Sequence, residues 1–393
     1  MQQHRSTSVF VAVVLLLGLT GYSADSAKSA PETSAPALIA QAEEGKDQPP
    51  SGEVEERAVP RMMPGKGMTP GPGIAPKPMV PAAPPVSLPC TGGGGILPGE
   101  YAIGTYRGNY LTAVNGGGLI TEPVVRTDAQ RAGPFEKFKL FVLPSSDPTG
   151  QWFIQTANKN CITAVDGGGR TSQVVHTDAT KAQAWEFFRF YFDPALGWHG
   201  IQTVNLHYVT ALGGGGHADP PAVHTDAVKV DNWERFRVWK CGDLGSNLHY
   251  SIWVPYNGTL LQAVGGGGRT FDALHAYEAA QSNWGIFTLI KQADASYAIQ
   301  TANGNYLTAT GGGGVTSGST TDDNIQTNRT QVLDWEKFRF VDQGDCTYAI
   351  QTVSGWYLGF PPSQTFPGPR AQFTTKSDIG HALKFKLIAA DIR

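Results

Sequence analysis

The chain has 393 residues, a formal net charge of −3 and 16% charged residues. With no long basic run, that balance excludes a broad electrostatic footprint for nucleic acid. Forty-eight glycines and 27 prolines beside 10% aromatics describe a loop-rich chain with ample large side chains for packed cores.

His4 and Arg5 precede an apolar run at residues 9–19. This is the layout of an export signal, and its core is shorter than the about 20 apolar residues a membrane span requires. We expect a signal peptide over 1–24, cleaved near Ser23 or Ala24, with an uncleaved N-terminal anchor as the alternative. No membrane insertion is expected beyond this signal, and the location expected is secreted, cell-surface or periplasmic. Residues 19–22 have the shape of a bacterial lipoprotein cleavage box, but Tyr22 stands where the lipidated cysteine belongs, which argues against lipid anchoring. Residues 25–89 are rich in Pro, Ala, Ser and Gly. Such a segment cannot bury enough apolar surface to offset its ordering entropy, so a disordered spacer is expected.

From about residue 100 the chain repeats itself six times, with copies opening at Tyr101, Trp152, His199, Tyr250, Tyr297 and Tyr348. A period near fifty means that each unit is too small to bury its own apolar face and must pack on its neighbours. The fifth copy shows the pattern. YAIQT alternates apolar and polar residues as a half-buried strand does, Asn303–Gly304 is a hairpin turn, and NYLTAT is the return strand. A glycine block at 311–314 breaks that strand. A short third strand follows, then a fourth opened by an aromatic and carrying two alternating apolar residues, such as Phe338 and Phe340. Four strands per unit allow a six-bladed propeller or two β-trefoils of three units each. The polar linker CGDLGSN (241–247) after the third copy and the uneven hairpin-and-loop rhythm favour the trefoils. The expected fold is all-β, with β-trefoils over 90–242 and 247–393.

Four cysteines remain. Cys90 and Cys241 bracket the first three copies and are the expected disulfide of an oxidising compartment. Cys161 takes a position held by tyrosine in other copies and reads as a small core residue, while Cys346 has no evident partner.

The units NYLTAVNGGG with GPFEKFKL, and NYLTATGGGG with WEKFRF, resemble fascin-like β-trefoil repeats, which carry a Y-L-T-A strand, a glycine turn and a closing W-E-x-F strand. The resemblance covers about 300 residues and implies the trefoil fold. For the cytoskeletal members of that family it also implies actin crosslinking. Those members have four trefoils and act inside cells. A second, partial resemblance is to mussel-type galactose-binding trefoil lectins, which follow a glycine pair with His-x-Asp. Gly168 with His176 and Asp178, Gly215 with His224 and Asp226, and Asp128 beside Arg126 stand at those positions. The chain lacks that family's next His, having Thr180 and Val228, and lacks its His-Pro before the glycines.

Each candidate also has a plainer role. The glycine blocks supply backbone with positive φ. The Asp of each Thr-Asp pair caps a short helical turn. Trp185, Trp233, Trp284 and Trp335 read as core, whereas Trp356 and Tyr106 beside hairpin turns are the better ligand platforms. No catalytic constellation, cofactor motif or metal-ligand spacing stands out from the repeat. The expected function is non-enzymatic binding of extracellular glycan through shallow repeated sites at Asp128, His176, Asp178, His224 and Asp226. The alternative is a crosslinker or adhesive protein on a protein filament. The sixth copy, with PPSQTFPGPR (361–370) for its glycine block and Lys376 in place of Asp, is expected to carry no such site.

Overall fold

The computed structural model describes residues 87–92, 95–143, 150–277, 279–280, 283–314, 324–359, 372–373 and 383–392. The signal, residues 25–86 of the spacer, and the sixth copy's 361–370 loop with Lys376 lie outside the described residues. The described residues are all-β apart from single 3-10 turns, and none of their helices is long and apolar enough to cross a membrane.

Each copy contributes four strands. The first has β1 (Glu100–Gly104), β2 (Tyr110–Ala113), β3 (Val125–Ala129) and β4 (Lys137–Val142). The second has β5 (Trp152–Gln155), β6 (Cys161–Ala164), β7 (Val175–Ala179) and β8 (Phe188–Asp193), and the third β9 (Trp198–Thr203), β10 (Tyr208–Ala211), β11 (Val223–Ala227) and β12 (Arg235–Cys241). The fourth copy gives β13 (Leu248–Val254), β14 (Thr259–Ala263), β15 (Leu274–Tyr277) and β16 (Ile286–Lys291). The fifth gives β17 (Tyr297–Gln300), β18 (Tyr306–Ala309), β19 (Ile325–Arg329) and β20 (Lys337–Asp342). The sixth gives β21 (Tyr348–Thr352), β22 (Leu358–Gly359), β23 (Gln372–Phe373) and β24 (Lys386–Ala389).

First and fourth strands join across copies and close into rings. β1 pairs with β4 and β12, β5 with β4 and β8, and β9 with β8 and β12. In the later copies β13 pairs with β16 and β24, and β17 with β16 and β20. β21 completes that ring through β20 and the Tyr348–Phe385 bridge. Second and third strands of each copy form a hairpin of their own, as β2 does with β3. Alternation explains the burial. In β4, Phe138 and Leu140 face inward while Lys139 is exposed. Ile103, Ile154 and Ile201 meet Val125, Val175 and Val223 around a small apolar cavity, so equivalent residues of the three copies share one core.

The disulfides differ from the expected pair: Cys90 bonds Cys161, and Cys241 bonds Cys346. Leu88–Pro89, assigned by composition to the end of the spacer, pairs with Lys181–Ala182 of the second copy. That pairing lays Cys90 over the second copy beside Cys161, among Phe141, Phe153 and Phe187. Cys241 ends β12 and meets Cys346 in the turn between β20 and β21, joining the third copy to the fifth–sixth junction. Two disulfides fit an extracellular or periplasmic protein.

Candidate functional site

The glycine block ends β2 in a single 3-10 turn with a left-handed central residue, Asn115, Asp166 or Gly213 in the first three copies. The next copy docks on this turn. Asn158 N donates to Gly116 O, Asn205 N to Gly167 O and Arg107 N to Gly214 O. A second set of bonds runs to the third strand. Gly118 N donates to Thr177 O, Thr177 N to Leu119 O, and Leu119 N to Thr177 Oγ1 at 3.1 Å. The same trio recurs from 169–170 to Thr225 and from 216–217 to Thr127. It recurs once more from 268–269 to Thr327. The first three copies are thus bonded in a closed cycle, and the fourth is bonded to the fifth in the same way.

The threonines of the Thr-Asp pairs are therefore structural, and all three are fully buried. The aspartates are not helix caps. Asp128, Asp178 and Asp226 lie inside β3, β7 and β11, and the 3-10 turns that follow are capped by Gly133, Gln183 and Asp231. Alternation sends His176 with Asp178, and His224 with Asp226, to the face opposite the buried threonine. His224 Nδ1 lies 3.8 Å from Asp226 Oδ1. Asp128 and Asp226 are exposed and Asp178 half-buried, and the Asp128 and Asp178 carboxylates have no partner among the described residues. Gly168 and Gly215 sit elsewhere. At φ +97° and +109° they press on the next copy's Thr203 and Thr105, where any Cβ would overlap a hydroxyl.

The fourth strand corrects the reading of the tryptophans. Trp185, Trp233 and Trp335 are 44–48% exposed, Phe135 at the same position 43%, and Trp284 half-buried. The buried residue is the neighbouring glutamate. Glu186 accepts from Thr163 Oγ1 at 2.7 Å and from Gln183 N at 2.8 Å. Glu234 does the same with Thr210 and Asp231 N, and Glu136 accepts from Thr112. The signal was present in the sequence: counting back by twos from Phe138 and Leu140 reaches Glu136, so parity turns the aromatic outward. Of the two hairpin-side aromatics, Tyr106 is 42% exposed and packs on Trp198, while Trp356 is partly buried against the core.

Buried and half-buried cations gather where the first and third copies meet the fourth and sixth. The Arg237 guanidinium is held between Trp198 and Trp253, and desolvation pulls its pKa down to about 9. Lys240, fully buried, donates to Pro98 O and lies over Tyr101, and burial pulls it down to about 8. Lys386 reaches the Tyr110 hydroxyl, and burial lowers its pKa too. His199 Nε2 bonds Ala389 O at 2.9 Å, and complete burial depresses its pKa to about 4. Among the described residues no three His, Cys, Asp or Glu side chains are grouped to hold a metal.

No family model matches the chain, and no curated protein matches it. Solved structures do show similarity. A mosquitocidal holotoxin matches at 12% identity and TM-score 0.32, over 76% of this chain and 36% of that one, so the chain spans about a third of the toxin's length. The β-trefoil BEL matches at 16% identity and TM-score 0.29, over 37% of this chain and 97% of that one. SeviL bound to asialo-GM1 saccharide matches at 14% identity and TM-score 0.27, over 37% and 99%. The likeness is one of β architecture.

Proposed function

We propose that the protein is an exported, non-catalytic carbohydrate-binding protein built from two tandem β-trefoils, residues 90–242 and 247–393, carried behind a Pro-rich spacer. The observation behind this reading is the repeated polar face of β3, β7 and β11. The same strand that is bonded to the preceding copy through its threonine turns a carboxylate outward beside His or Arg. Asp128, Asp178 and Asp226 accept from sugar hydroxyls, and His176 and His224 donate to them or accept from them. Sites of this kind are shallow, and repetition raises avidity without new contacts at any one of them. The domain division is supported by the two strand rings, and export by the two disulfides.

The test is a glycan array probed with the full chain, beside co-sedimentation with actin filaments. Saturable glycan binding that is lost in Asp178→Ala combined with Asp226→Ala, with unfolding unchanged, is the expected result. Silence on the array with pelleting on filaments overturns it in favour of a filament crosslinker.

A further inference from the structure

We propose that the exposed aromatics opening the fourth strands, with Trp233 foremost, are stacking shelves that each take the C–H face of one pyranose ring. This rests on the carbohydrate reading above and assigns it a second kind of subsite, separate from the His–Asp faces.

Four copies place a large aromatic at the same point, the middle of a one-turn 3-10 helix: Phe135, Trp185, Trp233 and Trp335. Each leaves 43–48% of its surface in water, forgoing part of the roughly 1.5–3 kcal/mol that burying a large apolar side chain returns. The turn itself does not need the ring. What fixes the turn is the buried glutamate that follows, bonded to the N-cap amide in the second, third and fifth copies. The aromatic is therefore held on a rigid mount with its outer side open, the pre-organisation that recognition favours.

The surroundings specify the occupant. Trp233 leans its indole edge toward Gly214, whose would-be Cβ lies 3.5 Å from that edge, and Phe135 stands in the same relation to Gly116 at 3.1 Å. Trp233 shares an open surface recess with Asp231, Asn232 and Glu234. Its rim carries charges of both signs: Asp231 is paired to Lys229 at 2.7 Å, and Asn232 to Arg235 at 3.1 Å. Trp335 repeats this with Asp334 and Lys337, 3.1 Å apart. Large contiguous apolar patches are a mark of protein-binding surfaces. The Trp233 face, extended by the exposed Tyr106 ring at the same 3.5 Å from the would-be Gly214 Cβ and edged by carboxylate, ammonium and amide groups, suits a saccharide, whose rings have apolar faces and hydroxyl edges. In the fourth copy Gly285 replaces the glutamate and Trp284 is half-buried, so no shelf is expected there.

The test uses the full chain, with the strongest array saccharide and the methyl glycosides of galactose, glucose, mannose and N-acetylglucosamine as titrants followed by calorimetry. Trp233→Ala is expected to weaken binding about tenfold, and the triple change with Trp185→Ala and Trp335→Ala to weaken it further, leaving only the Phe135 shelf and the His–Asp faces. Trp233→Tyr is expected to retain binding, with thermal unfolding unchanged throughout. Wild-type affinity in the triple variant, with loss in Asp178→Ala plus Asp226→Ala, overturns the shelves and leaves the carbohydrate reading standing. No saccharide binding by the wild type overturns both.

Discussion

The guanidinium of Arg237 in the third copy lies 3.7 Å from the ring centroid of Trp253 in the fourth. Trp198 covers its other face at 3.5 Å. The two strand rings thus meet on a cation sandwiched between indoles, in a place where desolvation strengthens the attraction. Arg237→Ala should cost roughly 2–4 kcal/mol, and Arg237→Lys should recover only part of it, since an ammonium cannot stack flat on both rings. Urea unfolding of the three proteins checks this.

The same seam predicts a pH dependence. His199 is held neutral, with its pKa near 4 against 6.5 for the free side chain. The unfolded chain therefore binds the extra proton in that window, and stability falls as pH drops. Its contribution is complete above about 6.5 and disappears as pH falls through 4, a loss of roughly 3 kcal/mol at most. Denaturation midpoints measured from pH 7.5 to 4 should show a slope that flattens in His199→Gln.

Glycines at different positions of the repeated block should differ in cost. Gly215→Ala drives a methyl into Thr105, whereas Gly265→Ala, at φ +69°, meets nothing within 4 Å. We expect above about 3 kcal/mol for the first, from overpacking on top of strain, and roughly 1–2 for the second, from backbone strain alone. Circular dichroism melts separate them.

The threonine and the aspartate of one pair should separate too. Thr225→Val removes the hydroxyl that serves Arg170 N at 3.2 Å and should cost about 1–2 kcal/mol. Asp226→Ala, on an exposed face, should stay within about 0.5 kcal/mol. Chemical denaturation of the two variants tells structural threonine from available carboxylate.

Non-reducing peptide mapping should recover Cys90 joined to Cys161 and Cys241 joined to Cys346. The second bond spans 105 residues, so the chain-entropy ceiling for its loss is roughly 4–5 kcal/mol. Cys346→Ser should lower the melting temperature while the saccharide signal survives.

The strands were legible because six copies repeat one alternation, and a two-residue period leaves little freedom over which side chains turn inward. The tryptophans were misread because size was weighed above parity, which points to Glu136, Glu186 and Glu234 as the inward residues. The cysteine pairing was not legible. Nothing in the residues before Tyr101 says that they cross to the second copy at Lys181–Ala182, because a two-residue strand has too short a pattern to read. The threonine bonds between copies were hidden for a related reason: they join residues 55 to 90 apart, and no local pattern encodes the partner.

The pairing of β1 with β12 has a consequence during synthesis. Residues 100–104 find their partner at 237–241, so one edge of the opening strand stays bare while some 130 residues are made. At typical translation rates this is on the order of ten seconds. For that interval the nascent chain exposes a template for mispairing with its own later copies, whose YAIQ-type strands look almost alike. The 47- and 51-residue alternation of the copies, and Cys161 where a tyrosine usually stands, are the marks by which one copy differs from the next while the first ring is still open.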